Sequence, residues 1–181
     1  HAAEGLYSVE GNPVIDLMAE EGIAAIGRAL PRIVANAKDV QARSDALYGA
    51  WLCGIVLGSV GMALHHKLCH TLGGSFNLPH AETHTVVLPH ALAYNAAAAP
   101  QAMQRIARAL GRDDGKAAQA VFDLAKANGA PVALRDIGVQ AGDLDKACDI
   151  ALQNQYPNPR PLEARAIREL LQAAWEGARP G

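Results

Sequence analysis

The sequence predicts an all-α domain, a helical bundle without a sheet, on three observations. Alanine and leucine dominate an apolar fraction of 50%, while aromatic residues make up 4%, a balance that favours helix over strand. Alternation of apolar and polar residues is confined to a brief stretch from Thr85 to Leu88, among helix formers. Caps, prolines and glycines cut the rest into segments of helical length. At 181 residues the chain fits a single domain, 1–181, with a sizeable core.

Residues 1–8 carry helical character. Glu10-Gly11-Asn12-Pro13 is a turn, with Asn12 as cap and Pro13 at the first helical position of a helix over about 13–36. Its apolar positions Val14, Leu17, Met18, Ile23, Ile26 and Leu30 keep helical spacing, and Pro31 is expected to kink or divide it. Asp39 caps a third pattern running toward His70. Gly54, Gly58 and Gly61 recur at helical spacing, so they form a small-residue face open to a neighbouring helix, and a break is expected near Ser59 to Gly61. Gly73-Gly74 is expected to stop the helix, with a loop over 73–79. Residues 80–95 form one or two short helices around Pro89, and Pro100 opens another to about Leu110. After a turn at Asp113-Asp114-Gly115, helix runs over 115–128 and ends at Asn128-Gly129-Ala130-Pro131. Leu134 to Val139 is a short connection, and Asp143 caps a helix through about Gln153. The prolines of Tyr156-Pro157-Asn158-Pro159-Arg160-Pro161 exclude helix there, and a last helix covers 162–177.

Composition excludes several functions. Net charge is −2 with no basic stripe, so there is no electrostatic footprint for nucleic acid. The longest apolar run, Ala50 to Leu64, is 15 residues with three glycines, shorter than the roughly 20 a membrane span needs. Cys53, Cys69 and Cys148 are odd in number and widely spaced, which fits free thiols in a cytoplasmic, reducing compartment. No phosphate-binding glycine loop and no strand–helix–strand unit is visible, so a dinucleotide would have to be bound elsewhere. The opening His1-Ala2-Ala3-Glu4-Gly5-Leu6-Tyr7 starts as helix without a cap, as expected of a piece of a larger chain.

Six of the seven histidines fall between positions 65 and 90. His66 and His70 are four residues apart, roughly 400° around a helix, so both imidazoles project from one face. A turn after Gly73-Gly74 returns the chain through Pro79-His80, so three imidazoles can converge. Such a cluster points to a metal site, a proton-transfer site, or both. The competing reading is a set of hydrogen-bonded core histidines, and His84 and His90 are read that way. Cys69 is turned about 100° from its neighbouring histidines on a helix and is read as packing.

The passage Gly61 to Asn95 resembles the signature of the iron-containing, or group III, alcohol dehydrogenase family. The residues carrying it are His66, His70, Leu72, Gly73, Pro79, His80, Pro89, His90 and Asn95. The opening His1-x-x-Glu4-x-x-Tyr7 resembles a second family segment. The double His65-His66, the run Lys67 to Gly74, and Pro79-His80-Ala81-Glu82-Thr83-His84 are most similar to the maleylacetate reductase branch. Ala81 stands where most alcohol dehydrogenases of the family have glycine.

The resemblance implies the C-terminal helical domain of a larger enzyme, of the dehydroquinate-synthase-like type. An N-terminal α/β domain would hold NADH or NADPH. It implies metal ligands at His1, His66 and His80 for Fe2+ or Zn2+, the family's aspartate ligand lying before His1. The implied reaction is NAD(P)H-dependent reduction of maleylacetate to 3-oxoadipate, in aromatic-compound breakdown. His66 and His80 would polarise the carbonyl, through a metal or directly. His70 would supply the proton or contact the nicotinamide, and Arg160 would grip a carboxylate of the small dicarboxylate substrate. The expected partners are the N-terminal domain and a second copy in a homodimer, with neither nucleic acid nor membrane. The alternatives are an iron-dependent alcohol dehydrogenase of the same family, a non-catalytic helical metal-binding domain, and a structural interaction domain. The metal-binding domain lacks its usual Glu-x-x-His pattern, since Glu4 and Glu82 stand isolated.

Overall fold

A computed structural model describes residues 1–181 as nine α-helices with two short 3-10 turns and no strand. The first helix, α1 (Ala2–Gly5), is a single turn, shorter than the sequence pattern implies, and is buried along its whole length. Helix α2 (Pro13–Ala35) starts as expected: Asn12 accepts from the amides of Val14 and Ile15. Pro31 lies inside α2 and does not divide it. Asp39 starts α3 (Val40–Ser59) by accepting from the Ala42 amide at 3.0 Å, and Arg32 forks onto the same carboxylate.

Helices α2 and α3 run side by side, and the glycines that let them approach are Gly22 and Gly49. A Cβ on Gly49 would meet Ile26 Cγ1 at 2.7 Å and the Gly22 carbonyl at 3.0 Å. The small-residue face expected at Gly54 and Gly58 packs against nothing within 4 Å, and Gly61 meets only the Glu10 side chain. Five of the exposed large apolar side chains, Val40, Leu47, Tyr48, Trp51 and Leu57, lie on α3.

The break after Ser59 is where the sequence places it. Helix α4 (Leu64–Phe76) leaves at 96° to α3. Two contacts hold the corner: Ser8 Oγ donates to the Gly61 carbonyl at 2.8 Å, and the Gly61 amide donates to Glu10 at 2.6 Å. Gly73-Gly74 does not end α4. The helix runs on to Phe76 and closes at Asn77 in the left-handed region, φ 51°. Phe76 packs on the main core, so its burial outweighs the weak helix propensity of two glycines. Helix α5 (His80–Asn95) is likewise continuous through Pro89.

Helices α6 (Pro100–Ala109), α7 (Ala117–Ala127), α8 (Leu144–Ala151) and α9 (Ala164–Glu176) complete the bundle. Asp143 does not cap α8; its carboxylate caps a 3-10 turn by accepting from the Gln140 amide. The main core joins α4, α5, α8 and α9 around Leu64, Leu68, Leu72, Leu134, Leu144, Ile167 and Leu171, none of them exposed. Arg105 of α6 pairs with Asp16 and Glu20 of α2 and ties the second half to the first. No single helix is long and apolar enough to cross a membrane.

Candidate functional site: a cleft of six imidazoles

The start of α4 carries backbone amides that no residue of its own turn satisfies, because Ala63 has no capping side chain. Glu4, from α1, supplies the cap. Its Oε2 accepts from the Ala63 amide at 2.9 Å and its Oε1 from the His65 amide at 2.7 Å. The same Oε2 takes a hydrogen bond at 2.6 Å from His66 Nδ1. Glu4 is fully buried. Burial alone would raise its pKa, but the hydrogen bond from His66, the nearby His65 and the Ala63 amide bring it down to about 2. An ionised carboxylate only accepts, so His66 Nδ1 carries the proton and Nε2 is the free ring nitrogen.

Around this pivot the imidazoles form a graded cleft. His65 and His66 are its floor, each 3% exposed. His84 is half-buried above them, its ring centroid 4.8 Å from that of His65 and 5.1 Å from that of His66. His1, His70 and His80 are exposed at the rim. His1 stacks on His66 at 5.1 Å, His70 stands 6.0 Å from His66, and His80 lies 4.3 Å from His84. The rings of His1, His66, His84 and His80 thus follow one another in series, with His84 between His66 and His80. His84, read from the sequence as a core histidine, is instead half-buried among three other imidazoles. His80 and His84 are four residues apart on one helix, the same spacing that placed His66 beside His70. His90 is buried, and desolvation lowers its pKa to about 4.

Burial, then the neighbouring imidazoles His66 and His80, lowers the His84 pKa to about 4. His65, wholly enclosed, is driven to about 3 by desolvation. His70 is lowered by the same desolvation, then by His66 and His80. Its Nδ1 meets the Tyr156 hydroxyl at 3.0 Å. Tyr156 belongs to the proline-rich strap 156–161, whose Asn158 exchanges two hydrogen bonds with Asn95 at 2.9 and 2.8 Å. Arg160, expected to grip substrate, lies over the Tyr94 ring at 4.1 Å and donates to the Tyr94 carbonyl. Its observed contacts hold the strap to α5.

Sequence reasoning missed Glu4, His65, His84 and Tyr156. Glu4 stood in the quoted His1-x-x-Glu4 segment but was taken as isolated, because its partners are 59 to 62 residues away. An apolar cavity of about 480 Å3 opens beside His1 and Thr85, lined by residues such as Ile23, Leu30, Leu88 and Leu124. No lysine or arginine lines that cavity.

Residues 1–175 match the model of the Fe-containing alcohol dehydrogenase family, C-terminal. The chain is 64% identical to a maleylacetate reductase of Burkholderia cepacia over 99% of its own length and 51% of the relative's. The crystal structure of maleylacetate reductase from Agrobacterium tumefaciens superposes with a TM-score of 0.95 at 54% identity, over 99% of this chain and 51% of that one. An iron-containing alcohol dehydrogenase from Corynebacterium glutamicum superposes at 0.93 with 42% identity, over 99% and 50%. The chain thus spans about half the length of the relatives it matches.

Proposed function

Since the chain belongs to the Fe-containing alcohol dehydrogenase family, we propose that it is the imidazole-bearing half of a maleylacetate reductase. The whole enzyme would reduce the carbon–carbon double bond of maleylacetate to give 3-oxoadipate, with NADH or NADPH held mainly by an N-terminal α/β half. The observation that carries this reading is the buried Glu4–His66 pair, which leaves His66 Nε2 facing no protein partner at the floor of a histidine cleft. Homodimerisation and a cytoplasmic location complete the proposal, the latter supported by three free cysteines.

The reaction needs three things. Hydride from the reduced nicotinamide adds to one alkene carbon, the displaced π pair moves onto the conjugated carbonyl oxygen, and a proton closes the neighbouring carbon. The developing oxyanion calls for fixed positive or donor groups. His66, held by Glu4 at Nδ1, presents Nε2 to the cleft, where it would act on the oxyanion through a held cation or, carrying a second proton, directly, and His80 flanks it from the rim. His70 is exposed enough to exchange protons with solvent. Its lowered pKa makes its protonated form a stronger acid.

A borderline divalent cation, Fe2+ or Zn2+, fits the donor chemistry, because neutral imidazoles with unpaired ring nitrogens are its preferred ligands. The family-matched holders are His1, His66 and His80. When bound, such a cation would polarise the carbonyl oxygen. Arg160 could meet a substrate carboxylate only by leaving the Tyr94 ring, so its contacts favour a structural role.

Steady-state kinetics of the intact enzyme test the reading, with maleylacetate and NADH in one assay and a primary alcohol with NAD in the other. Faster maleylacetate reduction supports it. Faster alcohol oxidation moves the assignment to an iron-dependent alcohol dehydrogenase, the activity named for the Corynebacterium glutamicum neighbour.

A further inference from the structure

A substrate with two carboxylates calls for a cation beside the reacting carbons, and this cleft offers few. The elements that form it, α1, α4, α5 and the strap 156–161, carry two cationic side chains besides the imidazoles, Lys67 and Arg160. Arg160 is committed to the Tyr94 ring and the Tyr94 carbonyl. Lys67, half-buried on α4, is not so committed. It pairs with no carboxylate, and its Nζ lies 5.7 Å from the centroid of the Tyr156 ring, a distance at which the face of the ring attracts an ammonium. The hydroxyl of the same tyrosine meets His70 Nδ1 at 3.0 Å, and the His70 and Tyr156 rings stand 6.1 Å apart. After burial, His66 and His80, the Lys67 charge also bears on His70 and helps to lower its pKa.

Helical period orders these groups on α4. At about 100° per residue, His70 lies roughly 40° and Lys67 roughly 100° round the helix from His66. His70 therefore stands between the other two, in keeping with its ring distance of 6.0 Å from His66. A molecule laid across this face from His66 past His70 reaches the Lys67 ammonium and the Tyr156 ring. The strap fixes that ring, because Asn158 exchanges two hydrogen bonds with Asn95 and donates to the Arg160 carbonyl at 2.6 Å. Lysine suits the position, since an ammonium on a flexible stem can turn its donors toward a carboxylate.

We propose that Lys67 is a specificity-determining residue that takes a terminal carboxylate of the substrate while the conjugated carbonyl lies at His66. The inference rests on the reductase reading and names the group that favours a dicarboxylate over a simple alcohol. A primary alcohol gives Lys67 nothing to bind.

The test uses the intact enzyme with Lys67→Gln and Lys67→Arg. It is read by maleylacetate kinetics and by calorimetric titration of adipate, an unreactive dicarboxylate of the product's chain length, with reduced nicotinamide nucleotide bound. Losing one charge-assisted hydrogen bond weakens binding by roughly 10- to 100-fold. Lys67→Gln should therefore raise the KM for maleylacetate and the Kd for adipate by that factor, with kcat falling less than KM rises. Lys67→Arg keeps the charge and should stay within about fivefold of the wild type in both. If Lys67→Gln fails to fold by circular dichroism, Lys67→Met, which keeps an unbranched stem, replaces it. Unchanged KM and adipate affinity in the neutral variant would overturn the assignment. So would an equal loss in Lys67→Arg, which would mark the packing of the side chain and not its charge. The two readings fail separately. A wild type that reduces maleylacetate, with the neutral variant unchanged, sinks the Lys67 assignment alone. A wild type that prefers alcohols yet binds adipate through Lys67 sinks the reductase alone. One that neither reduces maleylacetate nor binds adipate sinks both.

Discussion

Replacing Glu4 by glutamine should destabilise the protein by about 3 kcal/mol at pH 7. The magnitude follows from the carboxylate's surroundings: a pKa brought from 4.5 to about 2 in the folded state corresponds to about 3 kcal/mol. Removal of one partner from a buried charged pair in other proteins costs a similar ~3–5 kcal/mol. Glutamine keeps the shape but loses the charge, and its NH2 group then faces a backbone amide that also donates. The effect has a defined pH window. The folded pKa is depressed, so the carboxylate's contribution is complete above the unfolded value of 4.5 and is lost as pH falls through 4.5 toward 2. Equilibrium denaturation of wild type and Glu4→Gln in guanidinium, followed by circular dichroism at pH 7, 5.5, 4 and 3, measures the gap. It should be constant from pH 7 to 5.5 and narrow below 4.5. A gap under ~1 kcal/mol at pH 7, or one that does not change between pH 7 and 3, refutes the reasoning.

His66→Ala and His80→Ala in the full enzyme should each lower kcat by roughly 100-fold, as expected for loss of an oxyanion-stabilising or proton-handling group. His84→Ala, at a residue the sequence reads as a core histidine, should cost as much as His80→Ala, because its ring stands 4.3 Å from that of His80 and 5.1 Å from that of His66. Unaltered kinetics in His84→Ala would return it to a packing role. Gly49→Ala should lower stability by about 1–3 kcal/mol, since its methyl would meet Ile26 Cγ1 at 2.7 Å; a denaturation midpoint equal to wild type refutes this. Acid should weaken the fold through buried histidines. His65, His84 and His90 are held to about 3, 4 and 4, chiefly by desolvation, so unfolded chains take up protons near 6.5 and folded ones do not. Stability should therefore be flat above pH 6.5 and fall by about 1.4 kcal/mol per pH unit per imidazole between 6.5 and 4; a midpoint unchanged from pH 7.5 to 5 would show that the rings are not held neutral.

Local signals determined most of the helix pattern from sequence alone. Asn12 and Asp39 mark helix starts because a short side chain satisfies amides two or three residues on. The break after Ser59 and the nearness of His66 and His70 follow from glycine spacing and helical period, which are also local. Tertiary structure decided the rest. Gly73-Gly74 reads as a stop and Pro89 leaves one or two helices open, yet the helices run through both, because core packing of Phe76, Val86 and Val87 outweighs local propensity. The centre of the site was decided at longer range still. Glu4 caps α4 and fixes the His66 tautomer across about 60 residues, and His84 enters the cleft only because α5 folds back on α4. Spacing in a sequence reports what one helix places on one face. Which carboxylate reaches which amide across two helices is set by the packing that brings them together.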